Sequence, residues 1–312
     1  MKTINTYLCL ALLAPASLLV AQKDPAVFTT ETRLVVLHAT VVDKTGHLVT
    51  NLAQNAFQIY ENGVQQQMKL FRREDIPVSM GLVIDNSGSM RDKRQKVAAA
   101  ALALVKASNA DDEVFVVNFN DDAFLDCDFT NDVQKMEQAL TKIDSRGGTA
   151  MRDAVRMSID HMKDKAKKDK KVILVVTDGN DNASMISLEN LIKTAQQSGG
   201  EGVIVYAIGL LSEEERREAK RAKRALDALT EATGGLAFYP KELADVNRIA
   251  TQVAHDIRNQ YTLAYTPSNQ QLDGSFRQIK VAANGPNRPV VRTRTGYYAT
   301  RETAALKGNG GS

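Results

Sequence analysis

Two long apolar runs in the middle of the chain constrain its fold more than any other feature. Residues 78–84 (VSMGLVI) and 172–177 (VILVVT) are almost continuously apolar, which is typical of strands that are buried on both faces of a parallel sheet. Strand-like runs also occupy 114–119 and 203–208, and helical composition fills 93–106, 133–143, 151–162, 188–197 and 213–230. Strands that alternate with helices at this spacing predict an α/β fold, with a mostly parallel sheet and helices on both faces.

The segments on either side of this α/β pattern are β-rich. Strand-like runs lie at 33–42, 57–60 and 64–71, and again at 261–265, 276–282 and 290–298. Asn62-Gly63 separates two of them and predicts a hairpin, because both residues tolerate positive φ. Each flank has roughly 40–50 residues, which is marginal for an independent core. We therefore expect the flanks to pair into one sandwich-like module, with the α/β unit inserted between them.

The first residues predict export. Lys2 precedes a mostly apolar stretch at 7–21, which is shorter than the ~20 apolar residues of a spanning helix and has the pattern of a Sec-type signal peptide. We place the cleavage after Ala21, with Ala14-Pro15-Ala16 as a second possible site and an uncleaved membrane anchor as the alternative. The predicted location is periplasmic or extracellular, with no stable membrane span after cleavage. Cys127 would then be the single remaining cysteine, so no internal disulfide is expected.

The predicted organisation follows from these patterns. It comprises a signal peptide (1–21), an N-terminal β-rich segment (22–77), an α/β domain (78–259), a C-terminal β-rich segment (260–300) and a disordered tail (301–312). The 40 Lys and Arg residues nearly balance the 37 Asp and Glu residues, for a formal net charge of +3. This balance offers no electrostatic argument for nucleic acid as a partner, since a clustered basic face is the usual sign of one.

Three short motifs follow predicted strands or precede predicted helices. Asp85-Asn86-Ser87-Gly88-Ser89 (D-x-S-x-S) ends the first buried strand, Gly147-Gly148-Thr149 precedes the helix near residue 151, and Thr177-Asp178-Gly179 ends the next strong strand. Ligands of open α/β sheets bind outside the carboxyl ends of the strands, where the topology switches. We therefore expect the three motifs to converge on one edge of the sheet.

The side chains of these motifs suit one hard divalent cation, Mg²⁺ or Mn²⁺. Such an ion prefers oxygen ligands, and the predicted ligands are Asp85, Ser87, Ser89, Thr149 and Asp178. Three of the five are neutral hydroxyls, which neutralise the ion poorly. The bound metal would thus remain electrophilic, and we expect it to bind an exposed Asp or Glu of a protein partner.

The same motifs resemble the metal-ion-dependent adhesion site of von Willebrand factor type A (VWFA) domains, with all five positions matching. More closely, the chain resembles the secreted bacterial VWFA-related proteins typical of Acidobacteria. This resemblance runs from about residue 33 to residue 298 and includes FQIYENGVQQQ, DDEVFVVNFND, TDGNDNAS and IRNQYTLAYTP. It implies a Rossmann-like VWFA domain at 78–259, the five ligand roles given above, and cation-dependent protein binding without catalysis.

Other interpretations of single residues stay open at this stage. Asp85, Ser87 and Ser89 could simply cap a helix, and Thr149 and Asp178 could be cap or turn residues. We interpret Asp181 as a solvated loop acid, Asp153 as a residue of its own helix start, and Arg91 and Arg152 as exposed cations. No histidine lies in a metal loop, so the sequence does not predict zinc.

The sequence supports function hypotheses of three classes. The first is a divalent-cation-dependent binding module of an exported protein, which is not an enzyme. The second is a structural envelope component with a dispensable metal. The third is a metal-dependent hydrolase with Asp85 as nucleophile, which the sequence favours least, because the familiar phosphatase pattern has an acid where this chain has Ser87 and no G-x-S-x-G motif is present. The oligomeric state and the identity of the partner are not predicted.

Overall fold

The computed structural model describes residues 34–300, except 74, 108, 143–144, 198–201, 212–215 and 287. The predicted signal peptide, the first residues of the N-terminal β-rich segment and the predicted tail lie outside the described residues.

The described residues form fourteen strands and six α-helices. The strands are β1 (Val35–Val42), β2 (Phe57–Glu61), β3 (Val64–Gln66), β4 (Met68–Arg72), β5 (Val78–Asp85), β6 (Glu113–Phe119), β7 (Ala123–Thr130), β8 (Lys170–Thr177), β9 (Ile204–Gly209), β10 (Ala237–Phe238), β11 (Tyr261–Tyr265), β12 (Phe276–Ala283), β13 (Val290–Arg292) and β14 (Gly296–Tyr298). The helices are α1 (Arg94–Lys106), α2 (Val133–Leu140), α3 (Met151–Lys165), α4 (Leu188–Gln196), α5 (Arg216–Thr233) and α6 (Val246–Arg258).

The central sheet has six strands in the order β10-β9-β8-β5-β6-β7. Every pair in it is parallel except β6 and β7, which are antiparallel. All eight residues of β5 are buried, as expected for an apolar strand in the middle of a parallel sheet. The two apolar runs of the sequence are thus the two neighbouring central strands, β5 and β8.

Helices cover both faces of this sheet. Helices α1, α2 and α6 bury residues such as Leu104, Leu140 and Val253 in a core on one face, whereas α3, α4 and α5 bury residues such as Ile159 and Leu191 in a core on the other. The predicted fold class, an α/β unit with a mostly parallel sheet and helices on both faces, is confirmed.

Two four-stranded antiparallel sheets form the β-rich module. Their strand orders are β13-β1-β11-β4 and β14-β12-β2-β3, so each sheet combines strands from both ends of the described chain. Leu37, Ile59, Leu263 and Ile279 belong to one shared core between the sheets. The expected sandwich-like module from the N- and C-terminal segments is therefore confirmed.

Two of the predicted strands are broken in the structure. The hairpin at Asn62-Gly63 forms as predicted, with φ of 49° and 80°, but the run at 64–71 divides into β3 and β4, which belong to different sheets. The run at 290–298 likewise divides into β13 and β14. Between β13 and β14, the Thr295 amide donates to the Ala232 carbonyl of α5 at 3.2 Å, while the Thr295 carbonyl accepts from the Ile279 amide of β12 at 2.8 Å.

Polar contacts join the sandwich to the α/β unit. The Arg292 guanidinium of β13 pairs with the Asp256 carboxylate of α6, and the Gln196 amide of α4 donates to the Thr295 hydroxyl at 3.2 Å. A search of the described residues finds no helix with the length and apolar character needed to cross a membrane.

Candidate metal centre

The candidate site lies between the two central strands β5 and β8, where the strand order reverses: β6 pairs with the outer side of β5, and β9 with the outer side of β8. Asp85 is the last residue of β5, and Thr177 is the last residue of the neighbouring parallel strand β8, directly before Asp178. The helices that follow these strands, α1 and α4, pack on opposite faces of the sheet. In such folds, the carboxyl edge of the sheet where the following helices diverge is the usual ligand position.

Asp85 is completely buried at this edge of the sheet. Its Oδ1 accepts a hydrogen bond from the Ser87 amide at 2.8 Å, and its Oδ2 accepts one from the Thr177 hydroxyl at 2.5 Å. Burial raises the pKa of Asp85 to about 6, and the nearby Asp178 carboxylate adds to the rise. Among the ion pairs formed by described residues, none involves Asp85. A buried carboxylate of this kind favours a cation beside it.

The two serines connect Asp85 to Asp178. The hydroxyl oxygens of Ser87 and Ser89 are 3.2 Å apart, and the Ser89 hydroxyl donates to Asp178 Oδ1 at 2.8 Å. Ser87 is buried, whereas Ser89 and its neighbour Gly88 are exposed. Two carboxylates and two hydroxyls thus lie at one point of the sheet edge, and Ser89 is the member that solvent reaches.

The second oxygen of Asp178 is bonded to a residue that the sequence did not indicate. The Lys93 ammonium, from the turn before α1, donates to Asp178 Oδ2. The side chain of Lys93 is 31% exposed, and that of Asp178 is 1% exposed. Both oxygens of the Asp178 carboxylate therefore have protein donors in the described structure.

Thr149 is buried in the loop before α3, next to the Asp178 segment. A Cβ added to Gly179 would lie 3.5 Å from the Thr149 hydroxyl oxygen. The Thr149 amide donates to Asn182 Oδ1 at 2.8 Å, and the Gly88 amide donates to the Gly147 carbonyl at 3.3 Å. The Thr149 loop is therefore joined to both of the other loops, although no direct bond links the Thr149 hydroxyl to Ser87 or Ser89.

The two glycines before Thr149 allow this close approach of loops. Gly147 has φ of +74°, and a Cβ on it would lie 2.0 Å from Asp121 Oδ2. The Gly148 amide donates to Asp121 Oδ1 at 2.7 Å. A side chain at position 147 would thus be strained and would displace Asp121, which ties the loop to the β6–β7 hairpin.

The donor set at this edge fits a hard divalent cation. Two carboxylates and neighbouring hydroxyls are oxygen ligands of the type that Mg²⁺ and Mn²⁺ accept. Among the described residues, no group of three or more His, Cys, Asp or Glu side chains is placed to hold a metal. A metal at this edge would therefore depend on the serine and threonine oxygens as well as on Asp85 and Asp178.

The structure corrects two interpretations of residues near the motifs. Asp181 is not a solvated loop acid, because its side chain is 6% exposed and pairs with Arg152 at 3.0 Å, while its Oδ2 accepts from the Arg152 amide at 2.7 Å. The predicted exposed cation Arg152 is correspondingly paired. Asp153 accepts hydrogen bonds from the amides of Met185 and Ile186 at 2.7 and 3.1 Å. These two acids fasten the loop after β8 to the start of α3.

Comparison with known proteins finds a family match within the α/β unit. Residues 80–180 match the family model of the von Willebrand factor type A domain, and no curated protein matches the chain. Among solved structures, the PilB minor pilin from Streptococcus sanguinis is 16% identical with a TM-score of 0.48, covering 59% of this chain and 62% of the pilin chain.

Two further structures show a similar degree of likeness. The vWF domain of the type V pili tip protein Mfa5 from Porphyromonas gingivalis is 14% identical with a TM-score of 0.47, and the match covers 59% of this chain and 97% of that domain. An aerotolerance-related membrane protein from Bacteroides fragilis is 18% identical with a TM-score of 0.47, covering 58% and 98% of the two chains. The narrower resemblance to one bacterial group stays a prediction. The segment that matches the von Willebrand factor type A domain contains most of β5, all of β6 to β8, and the first residues of the loop after β8.

Proposed function

We propose that this protein is an exported binding module that holds one divalent cation, Mg²⁺ or Mn²⁺, and uses it to bind an Asp or Glu of a protein partner. The observation that carries the proposal is the cluster at the carboxyl ends of β5 and β8, where Asp85, Ser87, Ser89 and Asp178 are joined by short polar contacts. Thr149 is the proposed fifth ligand, from the adjacent loop.

The contrast between buried and exposed residues at the site supports the binding of a partner from the solvent side. Asp85 and Ser87 are buried at the base, while Gly88 and Ser89 are exposed at the rim. When bound, the ion would supply a Lewis-acidic position for an additional anionic oxygen. The protein side chains hold the base of the site in place, and the exposed rim leaves room for the carboxylate of a partner to approach above Ser89.

The proposed role is binding and not catalysis. Position 87 carries a serine, where a phosphatase of the aspartyl type would need a second acid, and none of the described histidines takes part in the site. The export part of the proposal depends on the predicted signal peptide at 1–21.

Calorimetry on the purified protein with Mg²⁺ and Mn²⁺ tests the metal site. We expect Asp85→Ala to abolish binding, because it removes a buried charged ligand, and Ser87→Ala to weaken it, because one neutral ligand is lost. Asp92→Ala is the matched control, since Asp92 is an exposed acid of the same loop outside the proposed ligand set. An absence of metal binding, or unchanged binding in Asp85→Ala, would overturn the proposal.

A second candidate is a structural envelope component whose metal is dispensable. The Lys93–Asp178 ion pair favours it, because the described structure already neutralises one of the two carboxylates without a metal. Pull-down of binding proteins from an envelope extract, with and without EDTA, separates the two candidates. Metal-dependent partners are lost in EDTA, whereas partners of a structural component remain bound.

A further inference from the structure

Lys93 places a positive charge inside the proposed metal site. Its ammonium is bonded to Asp178 Oδ2, and the Ser89 hydroxyl occupies Asp178 Oδ1 at 2.8 Å. Two of the proposed ligands, Ser89 and Asp178, are therefore already bonded to each other, and Asp178 is also bonded to Lys93. The lysine is part of the same turn as the D-x-S-x-S motif, since its amide donates to the Met90 carbonyl at 2.9 Å.

The neighbouring cations are directed elsewhere. The Arg91 guanidinium donates to the Ser145 carbonyl at 3.3 Å. Arg94 is fully buried and donates to Asn86 Oδ1 and Asn118 Oδ1 at 3.2 and 2.9 Å. Of the three neighbouring cations Arg91, Lys93 and Arg94, Lys93 is therefore the one that donates a hydrogen bond to a proposed metal ligand.

An ammonium and a divalent ion cannot share the Asp178 carboxylate without strong repulsion. Like charges a few ångströms apart repel, and the repulsion grows as solvent is excluded. Asp178 is 1% exposed at its side chain, so water screens this contact weakly. The carboxylate also needs a counter-ion, because an uncompensated buried charge is strongly destabilising. The two cations therefore compete for this carboxylate.

We infer that Lys93 is an internal counter-ion of the candidate centre, and that a divalent metal binds by exchange with its ammonium. This inference rests on the proposed function. The partly exposed side chain of Lys93 can swing into solvent when the metal enters. In the absence of metal, the lysine neutralises Asp178. The affinity for metal is lowered by the work of breaking this ion pair.

The test compares Lys93→Met with the wild-type chain. Methionine keeps most of the length of the side chain and removes the charge, so we expect Mn²⁺ to bind the variant about tenfold more tightly, equivalent to roughly 1.4 kcal/mol. Calorimetry of the EDTA-stripped, dialysed full chain with Mn²⁺ measures this. Lys96→Met is the matched control, because Lys96 is an exposed lysine on the first turn of α1. We expect the control to bind as the wild type does.

Thermal unfolding in EDTA supplies a readout that needs no metal. We expect Lys93→Met to unfold at a lower temperature than the wild type, because Asp178 loses its counter-ion, and Lys96→Met to be unchanged. If Lys93→Met does not fold, Lys93→Gln keeps an amide donor for Asp178 without the charge, and it carries the same expectations.

The outcomes separate the inference from the proposed function. If neither the wild type nor the variants bind Mn²⁺, the proposed function fails and the exchange fails with it. If the wild type and the charge-removing variant bind Mn²⁺ equally well, the metal site stands and the exchange with Lys93 is overturned. Tighter binding in the variant, with lower stability in EDTA, supports the exchange.

Discussion

Removal of the Thr177 hydroxyl is the perturbation that most directly tests how the candidate site is held together. This hydroxyl donates to Asp85 Oδ2 at 2.5 Å and accepts from the Gly179 amide at 3.3 Å. Thr177 and Asp85 are both completely buried, so water cannot replace the bond between them. Thr177→Val keeps the shape of the side chain and removes both bonds at once.

The expected loss of stability follows from these two contacts. A hydrogen bond to a charged group contributes about 1.5–3 kcal/mol, and a neutral hydrogen bond contributes about 0.5–1.5 kcal/mol. We therefore expect Thr177→Val to lower the free energy of unfolding by about 2–4 kcal/mol. Thr177→Ser is the control, because it keeps the hydroxyl and loses one buried methyl group, at a cost of about 1 kcal/mol.

Metal binding supplies the second measurement. Residues that orient a metal ligand typically change affinity by about 10–100-fold when they are replaced. Without the Thr177 bond the Asp85 carboxylate can rotate, so Thr177→Val should bind Mn²⁺ more weakly by a factor in that range, and Thr177→Ser should stay near the wild type. The chain has no Trp, so urea unfolding in EDTA is best followed by circular dichroism. Equal stability and equal Mn²⁺ affinity of the two variants would refute the reasoning.

Two other buried groups give predictions that do not depend on a metal. Tyr265→Phe removes one of the hydroxyls that donate to the buried Glu61 carboxylate, at 2.7 Å, and should lower the free energy of unfolding by about 1.5–3 kcal/mol. The control Tyr60→Phe, whose hydroxyl bonds a half-buried glutamine at 3.0 Å, should lower it far less. Equal effects of the two variants in urea unfolding would contradict this prediction. Burial lowers the pKa of Lys170 to about 7, so between pH 7 and about 10 the unfolded chain holds a proton that the folded chain lacks, and stability should rise with pH by up to about 1.4 kcal/mol per unit. Lys170→Met should lose this extra slope in urea unfolding at pH 7, 8 and 9, and parallel curves for the two proteins would exclude the assignment.

The central parallel sheet could be predicted from the sequence because strands that are buried on both faces give continuous apolar runs. The run at 172–177 is apolar because β8 lies between two other strands and beneath helices on both faces, and every residue from Val172 to Thr177 is buried. The edge strand β7 was not predicted. Its run AFLDCDFT is half-exposed and carries Asp126 and Asp128, and such acids at an edge weaken the strand signal while they protect the edge from pairing.

Helix α6 could have been predicted and was not. Val246, Ile249, Ala250, Val253 and Ile257 are buried on one side of it, at the three- and four-residue spacing of an amphipathic helix. The breaks within 64–71 and 290–298 had no such signal, since they depend on which sheet each half of the strand joins.

The five proposed ligands could be predicted because each belongs to a short local motif. The residues that support them were not. Lys93 contacts Asp178 from 85 positions away, and Thr177 contacts Asp85 from 92 positions away. Asp181 was misinterpreted for the same reason, since its partner Arg152 lies in another element. Local sequence shows which oxygens are available, and only the fold shows what they are bonded to.

The division of the sandwich between the two ends of the chain determines the order in which the molecule can be assembled. Both strands that pair with β1, namely β11 and β13, come from the last part of the sequence, with Val35 opposite Tyr265 and Val41 opposite Val291. During synthesis β1 cannot pair with these strands until the whole α/β unit has been made, and such distant pairing forms slowly. A chain that stops before residue 261 would present β1 as an open edge, the kind of template on which aggregates grow.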